Sequence, residues 1–172
     1  MPDDGRPAAL LQLAHGMCGC KERFLPFMEY MADNGIGCVA NDHRGHGESI
    51  RSSGDLGYMY GNGAAGMLKD MHVINCGIRE HFPDTPLILF GHSMGSFLLR
   101  QYLGNDNAGL SGALVMGTGE QPTFVVCAGK WVCRILAAVK GWEHRSGFVN
   151  SFVTGGYEKK MGKAWLSRNE EN

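Results

Sequence analysis

A serine flanked by glycines is the part of the sequence best suited to covalent chemistry. Residues 87–95 read Leu-Ile-Leu-Phe-Gly-His-Ser-Met-Gly, and a helical pattern follows them. The four apolar residues predict a buried strand, so Ser93 would lie at a sharp turn between a strand and a helix. A serine hydroxyl is a good nucleophile only when it is exposed, deprotonated by a base and faced by hydrogen-bond donors. The turn provides exposure and one donor, the backbone N–H of Met94.

A second donor is predicted at residues 15–17, His-Gly-Met, which follow another apolar run. The N–H of Met17 could face the same point as the N–H of Met94 and complete a two-donor oxyanion hole. Such a donor typically contributes about 3 kcal/mol in the transition state. The alternative is an ordinary loop after a strand, in which His15 forms a local hydrogen bond.

The segment 42–49, Asp-His-Arg-Gly-His-Gly-Glu-Ser, is rich in titratable groups. One interpretation makes His43 or His46 the base. We favour a structural loop instead, in which Asp42 pairs with Arg44 and the glycines permit tight turns.

The elements that must position these residues alternate along the chain. Apolar runs predict buried strands, and residues with helical spacing predict helices between them. The predicted strands are 8–14, 36–41, 87–90 and 110–116, and the predicted helices are 22–34, 62–82 and 94–103. This order predicts an α/β fold with a central parallel sheet of about four strands and helices on both faces. The loops carrying polar residues then meet at the carboxyl ends of the strands.

Composition narrows the classes of partner. The chain of 172 residues has 16 basic and 17 acidic side chains, so charge gives no reason to expect nucleic-acid binding.

The cysteines do not predict a metal site. Cys18 and Cys20 lie near His15, but their spacing fits no common zinc pattern. We therefore expect reduced thiols, no metal and no cofactor. The six cysteines are expected to be reduced thiols, and the sequence lacks a signal-peptide pattern. Both expectations favour a cytoplasmic location.

After Glu120 the alternation of strands and helices stops. The longest apolar stretch, 124–139, contains Lys130 and Arg134 and is shorter than the roughly 20 residues of a membrane span. Its apolar positions follow helical spacing, so we expect an amphipathic helix that covers a pocket.

Several motifs, in this order, resemble those of the α/β-hydrolase superfamily. They are His-Gly-Met (15–17), Ala-Asn-Asp-His-Arg-Gly-His-Gly-Glu-Ser (40–49), Phe-Gly-His-Ser-Met-Gly-Ser (90–96) and Gly-Thr-Gly (117–119). They are most similar to the lysophospholipase and monoacylglycerol-lipase branch, also described as the serine aminopeptidase S33 domain. The tail motifs His-Arg-Ser (144–146) and Trp-Leu-Ser-Arg-Asn-Glu-Glu (165–171) resemble the cap of bacterial members.

The resemblance implies a serine hydrolase that cleaves carboxylic esters of lipid-like substrates. Ser93 would be the nucleophile, and the N–H groups of Met17 and Met94 would hold the oxyanion. Residues 1–120 would form a partial hydrolase core and residues 121–172 a partial helical cap. The partners would be a small-molecule or lipid ester and, through the cap, a membrane surface, with the oligomeric state left open. A peptidase or amidase of the same superfamily is the alternative enzyme.

The chain departs from the family pattern at both ends. The resemblance places a triad acid and then a histidine after the cap, so this chain would be a central piece without its own base. An internal triad of Ser93, His144 and Glu120 respects the family's chain order, but it would need a cap histidine to reach the serine. The non-catalytic alternative is that the chain is a truncated, inactive fragment.

Overall fold

The computed structural model describes residues 7–105, 109–142 and 144–152. The chain divides into two compact units, Met1–Glu120 and Gln121–Asn172.

The first unit is built on four strands in a single parallel sheet. They are β1 (Ala9–Ala14), β2 (Ile36–Ala40), β3 (Leu87–His92) and β4 (Gly112–Met116). Their spatial order is β2-β1-β3-β4, and every neighbouring pair is parallel. The expected sheet of about four parallel strands is therefore confirmed.

Helices connect the strands. They are α1 (Leu25–Asp33), α2 (Ala64–His81) and α3 (Met94–Asn105), with 3-10 turns at Lys21–Phe24 and Ser53–Asp55. The predicted helix 22–34 thus begins as a 3-10 turn and becomes α-helical at Leu25. Pro26 lies in the first turn of α1, where its missing N–H costs no helical hydrogen bond.

The two faces of the sheet are covered by different helices. On one face, Leu11, Leu13 and Phe90 pack against side chains of α1 and the turn before it, including Phe24 and Met28. On the other face, Ala14 and Leu89 belong to a core with side chains of α2 and α3: Met67, Met71, Leu98, Leu99 and Tyr102. This alternation follows from the two-residue period of a strand, and it confirms helices on both faces.

A buried polar pair joins β1 to α2. Gln12 is 2% exposed, and its amide nitrogen donates to the backbone oxygen of Met71 at 3.0 Å. Its amide oxygen accepts from Nδ2 of Asn75 at 3.2 Å. These bonds offset the cost of burying two amides, and they fix α2 relative to the central strand.

β4 is an outer strand of the sheet and differs from the inner strands in burial. Leu114, Val115 and Met116 are 51%, 42% and 50% exposed. The strand begins at Gly112 rather than at residue 110, and β3 continues to His92 because His92 pairs with Met116.

The second unit contains α4 (Thr123–Lys140), which matches the amphipathic helix expected over 124–139. Residues 147–152 are also helical. No helix in the described ranges combines the length and apolar character needed to cross a membrane.

Candidate active site

Ser93 lies at the turn between β3 and α3 in an unusual backbone conformation. Its φ is +51°, and Met94 is the first residue of α3. A non-glycine residue in this region costs of the order of 1–3 kcal/mol, so surrounding contacts must hold it there. The strand, turn and helix predicted around this serine are all present.

Hydrogen bonds hold the turn on both sides of Ser93. Its N–H donates to the backbone oxygen of Met116, at the end of β4, at 2.9 Å. Its backbone oxygen accepts from the N–H of Ser96 at 2.9 Å and from the Ser96 hydroxyl at 2.6 Å. Ser96 is fully buried, so its hydroxyl serves the turn rather than solvent. This role of Ser96 is not among the sequence-based predictions, although a serine three residues into a helix commonly bonds a backbone group near the helix start.

Two glycines allow the turn to lie close to the neighbouring strands. A Cβ on Gly91 would overlap the backbone oxygen of Gly95, and a Cβ on Gly95 would overlap the backbone of Ala14 in β1. Any side chain would push α3 away from β3 or from β1. The absence of a Cβ at both positions therefore lets the strand and the helix approach closely.

The loop after β1 lies directly against Ser93. A Cβ on Gly16 would stand 3.0 Å from Cβ of Ser93 and 3.2 Å from Nδ1 of His92. This proximity follows from the register of the sheet, since Ala14 pairs with Gly91 two residues before Ser93. The loop that carries Met17 and the turn that carries Met94 therefore meet at one edge of the sheet.

His15 is buried beside this loop, and each of its ring nitrogens forms a hydrogen bond with the backbone. Nδ1 lies 2.8 Å from the backbone oxygen of Gly16, and Nε2 lies 2.9 Å from the backbone nitrogen of His43. A carbonyl can only accept and a backbone N–H can only donate, so His15 is the neutral tautomer with its proton on Nδ1. Burial lowers the pKa of His15, against the opposing effect of its bond to Gly16. The local bond expected in the alternative interpretation is thus present, together with a long-range one.

The loop 42–49 is held by ion pairs other than the one predicted. Asp42 accepts hydrogen bonds from the N–H of Lys21 at 2.7 Å, from Nζ of Lys21 at 3.0 Å and from the N–H of Glu48 at 2.9 Å. Arg44 instead forms two bonds, of 2.6 and 2.7 Å, with the carboxylate of Asp70 in α2. The predicted pairing of Asp42 with Arg44 is wrong, because the Asp42 side chain turns inward under the loop while Arg44 reaches the neighbouring helix.

Asp42 is kept ionised by these contacts. Burial alone would raise the pKa of its carboxyl, but the bonds from Lys21 and Glu48 outweigh burial and lower it.

The glycines of the loop permit tight turns, as predicted from the sequence. Gly45 and Gly47 have φ values of +75° and +49°. A Cβ on Gly47 would overlap the Asp42 carboxylate.

Three carboxylates surround the ammonium group of Lys21. Oxygens of Glu22, Asp42 and Glu48 lie within 4.8 Å of one another. Nζ of Lys21 lies 2.8, 3.0 and 2.5 Å from Glu22, Asp42 and Glu48, respectively. The lysine therefore occupies the position that a cation would take among these oxygens, and the pairs raise its pKa, with Glu22 contributing most.

His43 and His46 are buried beside His15. They are 3% and 5% exposed, and their ring centroids lie 4.3 and 5.2 Å from that of His15. Burial lowers the pKa of His43 to about 4, with further lowering from His15 and His46. Nδ1 of His46 lies 3.1 Å from the backbone oxygen of Arg44. These contacts are those of a structural loop, the interpretation favoured from the sequence.

The loop after β4 also adjoins Ser93. Gly117 has a φ of +62°, and a Cβ there would stand 3.6 Å from the backbone nitrogen of Ser93. Arg100 of α3 donates to the hydroxyl of Thr118 and to the backbone oxygen of Gly119, both at 3.3 Å. Glu120 ends this loop and is exposed.

The two members proposed for an internal triad lie in different units. Glu120 belongs to the first unit, whereas His144 belongs to the second and is exposed. Their assignment as acid and base therefore stays a prediction. The motif at 165–171, expected to belong to a cap, lies outside the described residues.

A parallel sheet with helices on both faces and a serine at positive φ between strand and helix defines the α/β-hydrolase class, in which a turn of this kind is called the nucleophile elbow. Residues 5–172 match the family model Hydrolase_4, described as serine aminopeptidase, S33. The chain belongs to this family.

Solved structures of hydrolases are similar to the chain. A highly thermostable carboxyl esterase from Bacillus coagulans, in complex with glycerol, is 28% identical with a TM-score of 0.75. The match covers 99% of this chain and 52% of the esterase. A lipase in its open form is 24% identical with a TM-score of 0.85, covering 99% of this chain and 57% of the lipase.

A soluble variant of monoglyceride lipase from Saccharomyces cerevisiae, in complex with a substrate analogue, shares the fold more distantly. It is 20% identical with a TM-score of 0.57, and the match covers 80% of this chain and 46% of the lipase. A search of curated proteins finds no match. The chain thus spans about half the length of the first two of these structures.

Proposed function

We propose that the full-length protein is a serine hydrolase that cleaves carboxylic esters of lipid-like substrates such as lysophospholipids or monoacylglycerols. The observation that carries the proposal is the position of Ser93, held at a φ of +51° with Gly16 packed against it. This arrangement places Ser93, which is half-buried, where the loops after β1 and β3 converge.

The reaction has two steps. The Ser93 hydroxyl loses its proton to a base and attacks the acyl carbon, the alcohol leaves with a proton, and an acyl-enzyme forms. Water then attacks the acyl-enzyme, releases the acid and restores the serine. In each step the carbonyl oxygen becomes negative, and the backbone N–H groups of Met17 and Met94 are the proposed donors to it.

The positions of the Met17 and Met94 backbone N–H groups support their role as oxyanion donors. Met94 is the first residue of α3, so its N–H is among those at the helix N-terminus that no helical carbonyl accepts. Met17 follows Gly16, whose backbone lies against Ser93 and whose carbonyl is held by His15. A fixed Gly16 carbonyl also fixes the peptide plane that bears the Met17 N–H, because both belong to the same peptide unit.

Two similarities favour an ester as substrate. The 28% identical structure is that of a carboxyl esterase, and the yeast neighbour of the same fold is a monoglyceride lipase. Amide substrates are the second candidate, because the matching family model is described as a serine aminopeptidase. An elbow and an oxyanion hole serve both reactions.

The base is proposed to come from the half of the protein that this chain does not span. The alternative base within the chain is His144 with Glu120 as its acid. The alternative from another class is a truncated fragment without catalytic activity. It predicts the same lack of activity for the isolated chain as a missing base does.

The helix α4 supports the proposed contact with a lipid substrate or surface. Phe124, Trp131, Ile135 and Val139 recur at helical spacing and are 75%, 65%, 58% and 76% exposed. Basic residues at 130, 134 and 140 lie around the rest of the helix, a pattern suited to a membrane interface.

The test is a substrate panel on the full-length protein. Nitrophenyl esters of increasing acyl length and aminoacyl nitroanilides are compared for wild type, Ser93→Ala and the exposed control Ser53→Ala. The proposal expects ester hydrolysis that Ser93→Ala abolishes and Ser53→Ala leaves intact. Faster hydrolysis of anilides than of esters would instead support the peptidase, and equal activity of the Ser93→Ala variant would overturn both.

A further inference from the structure

A second group of reactive side chains lies between α2 and α3. Sγ of Cys76 is 3.4 Å from Nε2 of His72, one turn earlier on α2. Nδ1 of the same imidazole is 3.1 Å from the hydroxyl of Tyr102 on α3. Cys76 is exposed, whereas Tyr102 is 5% exposed, so a fixed hydroxyl orients the ring and the thiol remains accessible.

We propose that Cys76, with His72 as its base, is a site of thiol–disulfide exchange with a small anionic disulfide. The ring can receive the thiol proton on Nε2 when its own proton is on Nδ1, where it donates to the Tyr102 oxygen. Proton transfer leaves a thiolate beside an imidazolium, and the thiolate is the nucleophilic form of cysteine.

The exchange balances without an added oxidant. The Cys76 thiolate attacks one sulfur of the disulfide, and a mixed disulfide forms at Cys76 as the original S–S bond breaks. The leaving sulfur departs as a thiolate and takes up a proton. Cys76 is oxidised, and the departing half of the disulfide is reduced.

A groove beside the cluster indicates the class of disulfide. It has a volume of about 260 Å³ and is lined by Leu68, Lys69, His72, Tyr102 and Asn105. This volume is slightly below the roughly 300–1,000 Å³ of sites for drug-sized ligands, so it suits a small molecule. Lys69 offers a positive charge to a carboxylate, and the Asn105 amide can donate or accept.

The chain provides its own comparison thiols. Cys18, Cys127 and Cys133 are also exposed, as Cys76 is, but within the part of the chain that the structure describes only Cys76 bonds to an imidazole. The 172-residue chain is incubated with glutathione disulfide at pH 7, and each cysteine is followed by peptide mass mapping. We expect Cys76 to form the mixed disulfide about tenfold faster than Cys127 or Cys133. In guanidinium chloride the difference should disappear.

Two histidine variants test whether His72 itself increases the reaction rate of Cys76. His72→Gln should lower the Cys76 rate to that of Cys127, while His81→Gln, an exposed histidine on the same helix, should not change it. Circular dichroism of each sample checks the fold. If folded wild-type chain modifies Cys76 no faster than Cys127, or if His72→Gln has no effect, the proposal is overturned.

A second pair of reagents tests the preference for an anion. Lys69→Gln should slow the reaction with glutathione disulfide and leave the reaction with neutral hydroxyethyl disulfide unchanged. An equal effect on both reagents, or none, would contradict the anionic class of ligand.

Discussion

The backbone N–H of His43 donates a 2.9 Å hydrogen bond to Nε2 of His15, and this contact joins the loop after β2 to the loop after β1. The other ring nitrogen of His15 donates to Gly16, whose backbone lies against Ser93. A buried loop without a catalytic role in our proposal thereby supports the loop that carries a proposed oxyanion donor.

Removing the His15 ring should therefore weaken both stability and catalysis. In His15→Ala the buried N–H of His43 and the carbonyl of Gly16 lose their partner, at about 1–3 kcal/mol for each group left unsatisfied. We expect a lower free energy of unfolding by urea titration of the chain. In the full-length protein we expect a fall in kcat larger than the change in KM. The control is His81→Ala, which alters an exposed histidine. Equal stability of the two variants would contradict this account of His15.

The close approach of α3 to β1 predicts opposite effects for two glycines of one helix. Gly95→Ala should destabilise the chain by more than about 3 kcal/mol, because its Cβ would overlap the backbone of Ala14. Gly104→Ala has nothing within 4 Å of the added Cβ, and it should stabilise α3 by about 0.5–1 kcal/mol. Urea unfolding of both variants provides the comparison. A Gly95→Ala variant as stable as Gly104→Ala would contradict so close an approach of α3 to β1.

Burial of His43 predicts a loss of stability in mild acid. The unfolded chain takes up a proton near the usual pKa of 6.5, whereas the folded chain does not until about pH 4. The unfolded state therefore binds more protons between these values, and the free energy of unfolding falls as pH falls from about 6.5 to about 4. The difference in pKa corresponds to about 3 kcal/mol in total.

His43→Gln removes this titration, so its stability should decline less over the same pH range. Denaturant titrations at pH 7.5, 6, 5 and 4 measure both slopes. Parallel slopes for wild type and variant would contradict a buried neutral His43. The lowered pKa of Asp42 adds a further loss only at lower pH, as its carboxylate becomes protonated.

The isolated chain should react weakly with an activated phosphonate. Without a base the serine hydroxyl stays protonated, and the rate should fall by several orders of magnitude. Fluorophosphonate labelling of the 172-residue chain measures this directly. Strong labelling would instead reveal an internal base, and loss of that labelling in His144→Ala would assign the role to His144. Labelling that survives this substitution would eliminate the pair of Glu120 and His144.

The sequence predicts most of the fold because its signals are local. Apolar runs place the four strands within two residues, and the elbow follows from Gly-x-Ser-x-Gly after a strand. The pairing of polar groups is not local. Arg44 and Asp70 are 26 residues apart, and Lys21 and Asp42 are 21 apart, so only the packed structure brings them together. Proximity in sequence predicts a pair of Asp42 with Arg44, and this prediction is wrong.

The sequence also predicts only part of the cluster formed by Cys76, His72 and Tyr102. His72 and Cys76 share a helix face at a spacing visible in the sequence, but Tyr102 joins them only through the packing of α2 on α3. Likewise, no local signal predicts that Arg100 holds the loop after β4.

The central claim is that Ser93 is the nucleophile of an acyl-transfer reaction. The most direct measurement is mass mapping of the full-length protein after reaction with a fluorophosphonate, alongside the Ser93→Ala variant. The account predicts a single adduct on Ser93 in wild type and none in the variant. An adduct on another serine, or an unmodified Ser93 in a protein that still hydrolyses esters, would contradict it.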